Sequence, residues 1–374
     1  MRHLGPLPRL LAAALALGLG TAAIRPPMLA AQDSRDEQFY YPGAFNWRFL
    51  ALYPEAARLF NAFDYGHATA YETLLTDGPG ATPALAREYH YLTTDLLVRP
   101  PRFAIPEEAV MPSYAKLAWQ AKQMFDWAHM LHRQIYDVYA DDRIPAAEKD
   151  ALIERLTDYY LSRTEYAFTS VPKAMALMDE QSFSQSFRRT EPAFNGLIWA
   201  YHWLQVGLYE PMIAARTPAE AKAGIDTAVG RFWAMVHSGR YPTVMPMTAA
   251  IAPEFSRRHP RAAVIFDNLH SMHDIIADVL ASPTVPAARK REVIYQQLAE
   301  FRSTERNVMS MEEWWGMAAH MGGIAAMGGP AVGLLPAAEA GQGPHAPTHP
   351  GMAADSMATD SMMPMPEAGG HHHH

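Results

Sequence analysis

Not one of the 374 residues is a cysteine. That absence excludes disulfides, thiolate metal sites, iron–sulfur clusters and covalently attached c-type haem, so any metal has to be held by His, Asp, Glu, Met or backbone oxygen. The chain also lacks a Gly-rich phosphate loop, a nucleophile elbow and any Ser/His/Asp order suited to a triad. Positive charge is scarce: 31 Lys and Arg face 39 Asp and Glu, for a formal net charge of −8, and no extended basic patch occurs. A nucleic-acid partner is therefore not expected. Nor is there an apolar run of membrane-spanning length, because Leu10 to Ala23 is too short to cross a bilayer comfortably.

What is present begins with that short run. Arg2 and Arg9 flank its start, and the small residues Ala30 and Ala31 follow it. Residues 1–31 read as a secretory signal cleaved near Ala23 or Ala31, with an uncleaved anchor as the alternative. Export to the periplasm or outside the cell is expected, with no integral membrane span after cleavage. The whole sequence is 49% hydrophobic and long enough for one or two substantial cores.

The chain is organised around a sentence written twice, FDWAHMLHRQIYDVYA from Phe125 to Ala140 and FDNLHSMHDIIADVLA from Phe266 to Ala281. Slid by 141 residues without a gap, 125–168 matches 266–309 at 14 of 44 positions, where composition alone gives about three. An internal duplication follows. Each copy carries Asp-x-x-His-x-x-His. On a helix, Asp126, His129 and His132 climb one side over roughly 120°, as do Asp267, His270 and His273. A carboxylate below stacked imidazoles is a donor set for a borderline or hard transition metal, iron or copper first, zinc or manganese also.

Helical periodicity runs through most of the chain. Pro54 breaks the stretch from Phe45 to Leu75 into two helices, and Thr82-Pro83 starts another that reaches Leu97. Ser113 is positioned to cap the long helix bearing the first motif. Pro145 then starts a helix to about Tyr166, with its counterpart from Ala287 to about Thr304. A weaker match at an offset of 138 pairs Leu59 to Leu75 with Leu197 to Ile213, including Tyr71 with Tyr209 and Glu72 with Glu210. The expected architecture is all-α: two units of about four helices, residues 40–182 and 188–325, around a pseudo-twofold axis. Residues 337–374 have no periodicity to bury and read as a disordered tail. This tail carries His345, His349, five methionines from Met352 to Met365, and His371 to His374. Thioethers and imidazoles together suit copper, especially Cu(I).

In its helix count and its two carboxylate-x-x-His pairs, the pattern resembles the ferritin-like dimetal bundles. The resemblance implies Glu72 and Glu210 as one pair of ligands, with Asp126/His129 and Asp267/His270 as the other. Two departures stand out: Asp replaces the usual Glu, and each helix offers an extra histidine, His132 or His273. In a second arrangement Asp126 and Asp267 orient His129 and His270 through the ring N–H, and four imidazoles form the site. His67 and His202 are further candidates, because Asp64, His67 and Tyr71 share a face and His202 takes the place of Asp64 in the second half. Either those histidines or the two glutamates can reach a shared centre.

Single histidines are ordinarily core or surface residues. Six matched polar residues on two apolar helices are different, because burying them unpaired costs several kcal/mol in total. The competing accounts are a structural hydrogen-bond network and non-covalent bis-His haem. Elsewhere, His90 and His237 lack counterparts and read as local residues, His259 reads as solvated in a basic loop, and His320 as packed in the core. Three functions fit: capture or delivery of copper or iron, a dimetal oxidase or peroxide-handling enzyme, and a structural or partner-binding helical module.

Overall fold

Proline sets the start of three of the four helices that carry the candidate histidines. Pro54, Pro192 and Pro260 occupy first helical positions, where the ring presets φ and the missing N–H has no intrahelical partner to lose. In the computed structural model, which describes residues 40–333, these helices are α1 (Pro54–Asp77), α2 (Trp119–Ala140), α3 (Pro192–Gly207) and α4 (Pro260–Ala281). The protein is all-α, with one isolated bridge, Lys173 to Val308, among the described residues. The segments read as signal (1–31) and tail (337–374), with the tail's histidines and methionines, lie outside the described residues.

Each of these four helices begins the same way. A short helix ends at a residue near φ −130°, ψ 57°, whose N–H still bonds back at 2.8 Å, and the long helix departs from there. These junctions are Tyr53 (to Phe49 O), Ala118 (to Tyr114 O), Glu191 (to Phe187 O) and His259 (to Phe255 O). Of these junctions only the break at Pro54 was expected; Pro112–Leu117 is a separate short helix, and Ser113 caps nothing with its side chain. Similarly, the Leu197 to Ile213 stretch is broken at Leu208, continuing as Tyr209–Ala214. The helix after Pro145 stops at Leu161, and its partner is a 3-10 turn followed by Lys290–Arg302.

Backbone details recur between the halves. Trp47 (φ 64°, ψ 14°) and Gln185 (φ 63°, ψ 11°) both adopt the left-handed region. Asp137 accepts the N–H groups of Trp47 and Phe49 at 2.8 Å, and Asp278 accepts those of Gln185 and Phe187 at 2.8 and 2.9 Å. Lys149 Nζ donates to Tyr139 O, as Lys290 Nζ does to Leu280 O.

The packing crosses the halves. α1 lies along α4, and α2 meets the Tyr209–Ala214 segment. Every residue of α4 from Ala262 to Leu280 is buried, so this helix is central and has no solvent face. The Tyr71 hydroxyl donates to His273 O at 3.0 Å, and the Tyr209 hydroxyl lies 2.7 Å from His132 Nδ1. First-half helices are thus pinned to second-half helices at the level of the histidines. No helix among the described residues is long and apolar enough to cross a membrane.

Candidate metal centre

Four helices bring seven polar side chains inward. α1 supplies Asp64 and His67, α2 His129 and His132, α3 His202, and α4 His270 and His273, all buried. Ring nitrogens of His67, His202 and His273 lie within 4.8 Å of one another. A second group, with donor atoms equally close, joins Asp64, His129 and Glu107 from the short helix Glu107–Val110. The groups adjoin, since the His129 and His273 rings are 5.4 Å apart. His202 and His270 stack at 4.0 Å with planes 11° apart.

Aromatic side chains hold this array in place. Phe63 contacts His67, His129, His202 and His273 edge-on, Phe125 packs on His273 at 4.1 Å, and Phe266 covers His132 at 3.4 Å. So apolar a shell removes water from the rings, and burial drives the imidazole pKa down. His67 and His270 are each lowered to about 3, and His129, His132, His202 and His273 are held well below the ordinary value, desolvation being the largest cause throughout. All six are neutral at pH 7, the state in which imidazole binds a metal.

Hydrogen bonding leaves donor atoms open. His67 Nδ1 faces the Phe63 carbonyl at 3.4 Å, and its Nε2 has no partner. Neither nitrogen of His202 has a partner, and His273 Nδ1 has none. His270 Nε2 is 3.0 Å from Gln205 Oε1, so its unpartnered Nδ1 carries the lone pair. Buried polar atoms are normally bonded. A concentration of unpartnered imidazole nitrogens around one point therefore marks a place that can hold an ion.

The remaining residues expected at the site sit elsewhere. Glu72 accepts the Ser113 and Tyr114 N–H groups at 3.0 and 3.1 Å, and Glu210 accepts that of Phe255 at 2.9 Å. Both glutamates cap short helices and enter neither group. Asp126 pairs with Lys122 Nζ at 2.6 Å, and Asp267 accepts Thr248 N and Oγ1 and Trp314 Nε1. Neither aspartate orients His129 or His270, because each is engaged by other donors. His259, expected in solvent, is fully buried between Glu154, Asp150 and Tyr139. His320, expected in the core, is exposed.

Sequence reasoning did not assign Glu107 or Asp64 to a site. Asp64 was visible: Asp64-x-x-His67 repeats the spacing of the doubled motif one helix earlier. Glu107 had no local signal, since it follows a proline-rich loop and Thr248 stands at the matching place in the second half. No protein-family model matches the chain, and comparison with curated proteins and with solved structures returns no match.

Proposed function

We propose that this protein is an exported, internally duplicated helical bundle that captures or delivers a transition metal, copper or iron, at an imidazole site between its halves. The observation that carries this reading is the convergence of His67, His202 and His273, three neutral imidazoles from α1, α3 and α4 with ring nitrogens within 4.8 Å. Three imidazoles are a donor set for borderline and soft cations. The duplication is supported by the matched motifs and by the matched turns at Trp47 and Gln185. Export is supported by the N-terminal signal pattern, and copper by the Met- and His-rich tail sequence.

A second reading, a dimetal oxidase or peroxide-handling enzyme, is favoured by the tyrosines. Tyr71 reaches the backbone of His273 in the site, and Tyr209 touches His132 on the neighbouring motif helix; both phenols are buried. Metal analysis with an optical spectrum tests both, on the full chain and on a chain ending at Gly341, which separates the tail from the bundle. Both forms are expected to retain one tight equivalent that His202→Ala/His273→Ala loses. Equal metal in that variant and the parent removes the site and leaves a structural module. Turnover of oxygen or peroxide by the loaded protein selects the enzyme; inert, exchangeable metal selects the carrier.

A further inference from the structure

His129 is the imidazole whose surroundings the three-histidine site does not explain. Its Nε2 is buried without a partner, and its Nδ1 faces two carboxylates without bonding either, at 3.5 Å from Asp64 Oδ1 and 3.9 Å from Glu107 Oε1. Both distances exceed a hydrogen bond. They approach the donor-to-donor spacing of about 3.0–3.5 Å that metal–ligand bonds of roughly 2.1 Å produce around one ion. The ring is 4% exposed, and no solvent reaches its Nε2.

The surroundings separate this trio from the imidazole site. Asp64 and Glu107 are 5% and 7% exposed whereas His202 is at 0%, so the carboxylate trio lies nearer the surface. Arg133 bonds Asp64 Oδ2 at 2.7 Å and Asn61 Oδ1 at 2.9 Å. That fork orients the carboxylate and leaves Oδ1 turned to His129. Glu107 is placed by a four-residue helix running directly into the Met111 junction. At the matching positions of the second half stand His202, Thr248 and His270, and Thr248 is spent on Asp267. Carboxylates therefore gather on one side of the centre and imidazoles on the other.

We infer that Asp64, Glu107 and His129 form a second cation site, taking a divalent ion of the oxygen-preferring class such as Mn2+ or Fe2+, beside the three-histidine site. Two carboxylates and one imidazole select a harder ion than three imidazoles do. The inference stands independently of what the neighbouring site binds, and the centre becomes a pair of unlike sites separated by the His129–His273 contact.

Mn2+ is the probe, added to chelator-stripped full-length protein and followed by the loss of the free-ion electron paramagnetic resonance signal. One equivalent is expected to bind. Glu107→Gln, nearly isosteric, is expected to weaken it at least tenfold, and His202→Leu to leave it within twofold while removing the softer metal. Circular dichroism establishes that each variant folds. Electron spin-echo modulation of bound Mn2+ in the unaltered protein gives a second readout, independent of variants: one imidazole nitrogen is expected. No Mn2+ binding, an unchanged Glu107→Gln, loss of Mn2+ in His202→Leu, or an imidazole count other than one each overturns the site.

Discussion

His202 and His270 stack with ring centroids 4.0 Å apart and planes 11° from parallel, and neither nitrogen of His202 reaches a hydrogen-bond partner. Two neutral imidazoles in face contact inside an apolar shell do little for folding that two hydrocarbons would not do better. Burying His202 without partners costs the fold stability.

Replacing His202 with Leu removes two unpartnered polar atoms from a fully buried position. In chelator, its chemical denaturation midpoint is expected to rise, with a gain of about 1–3 kcal/mol, and addition of the softer metal, copper, is expected to lift the melting temperature of the parent alone. A metal-free variant less stable than its parent would make His202 a structural residue.

Acid sharpens the same comparison. The folded-state pKa of His202 is depressed by burial, so below the ordinary value of about 6.5 the unfolded chain takes up a proton that the folded chain refuses. Stability is thereby lost as pH falls through 6.5, by about 1.4 kcal/mol per unit for each such group. Asp137 and Asp274, each raised by desolvation to about 7, and Asp267, raised to about 6, act in the opposite sense. They are common to parent and variant and cancel in the difference. The advantage of His202→Leu should therefore widen from pH 6.5 toward pH 4.5, measured by urea unfolding; a pH-independent difference contradicts a neutral buried ring.

Glu72 and Glu210 serve the N-termini of Pro112–Leu117 and Pro253–Arg258. Glu72→Gln and Glu210→Gln are each expected to lower stability by about 0.5–2 kcal/mol, the usual worth of a cap, with metal content unchanged. Loss of metal in either would return these glutamates to the ligand set.

Asp278 binds the N–H groups of Gln185 and Phe187 and pairs with Arg188 at 3.1 Å, at 1% exposure. Asp278→Ala leaves two backbone donors and part of a guanidinium unmatched, so a loss of about 3 kcal/mol is expected in thermal or urea unfolding. Asp137→Ala, which deprives Trp47 and Phe49 in the same manner, should cost a similar amount. A markedly unequal pair would show that the matched turns are not equivalent in energy.

The sequence alone determined the helical class, the two motif helices and their inward histidines, because periodicity and the 141-residue match act along one chain direction and need no distant contact. It also excluded every thiolate chemistry, since no cysteine is present. Tertiary structure decided which donors meet. Glu72 and Glu210 looked like ligands by their matched positions, but the short helices folded against them present backbone N–H groups that a carboxylate accepts first. Asp126 and Asp267 were similarly drawn to Lys122, Thr248 and Trp314. Glu107 entered only because a loop and a four-residue helix fold across α1, and His67 reached His273 because α1 lies along the other half's motif helix. Spacing along a helix fixes which side a residue faces; what stands opposite is set by the packing of segments as far apart as His67 and His273.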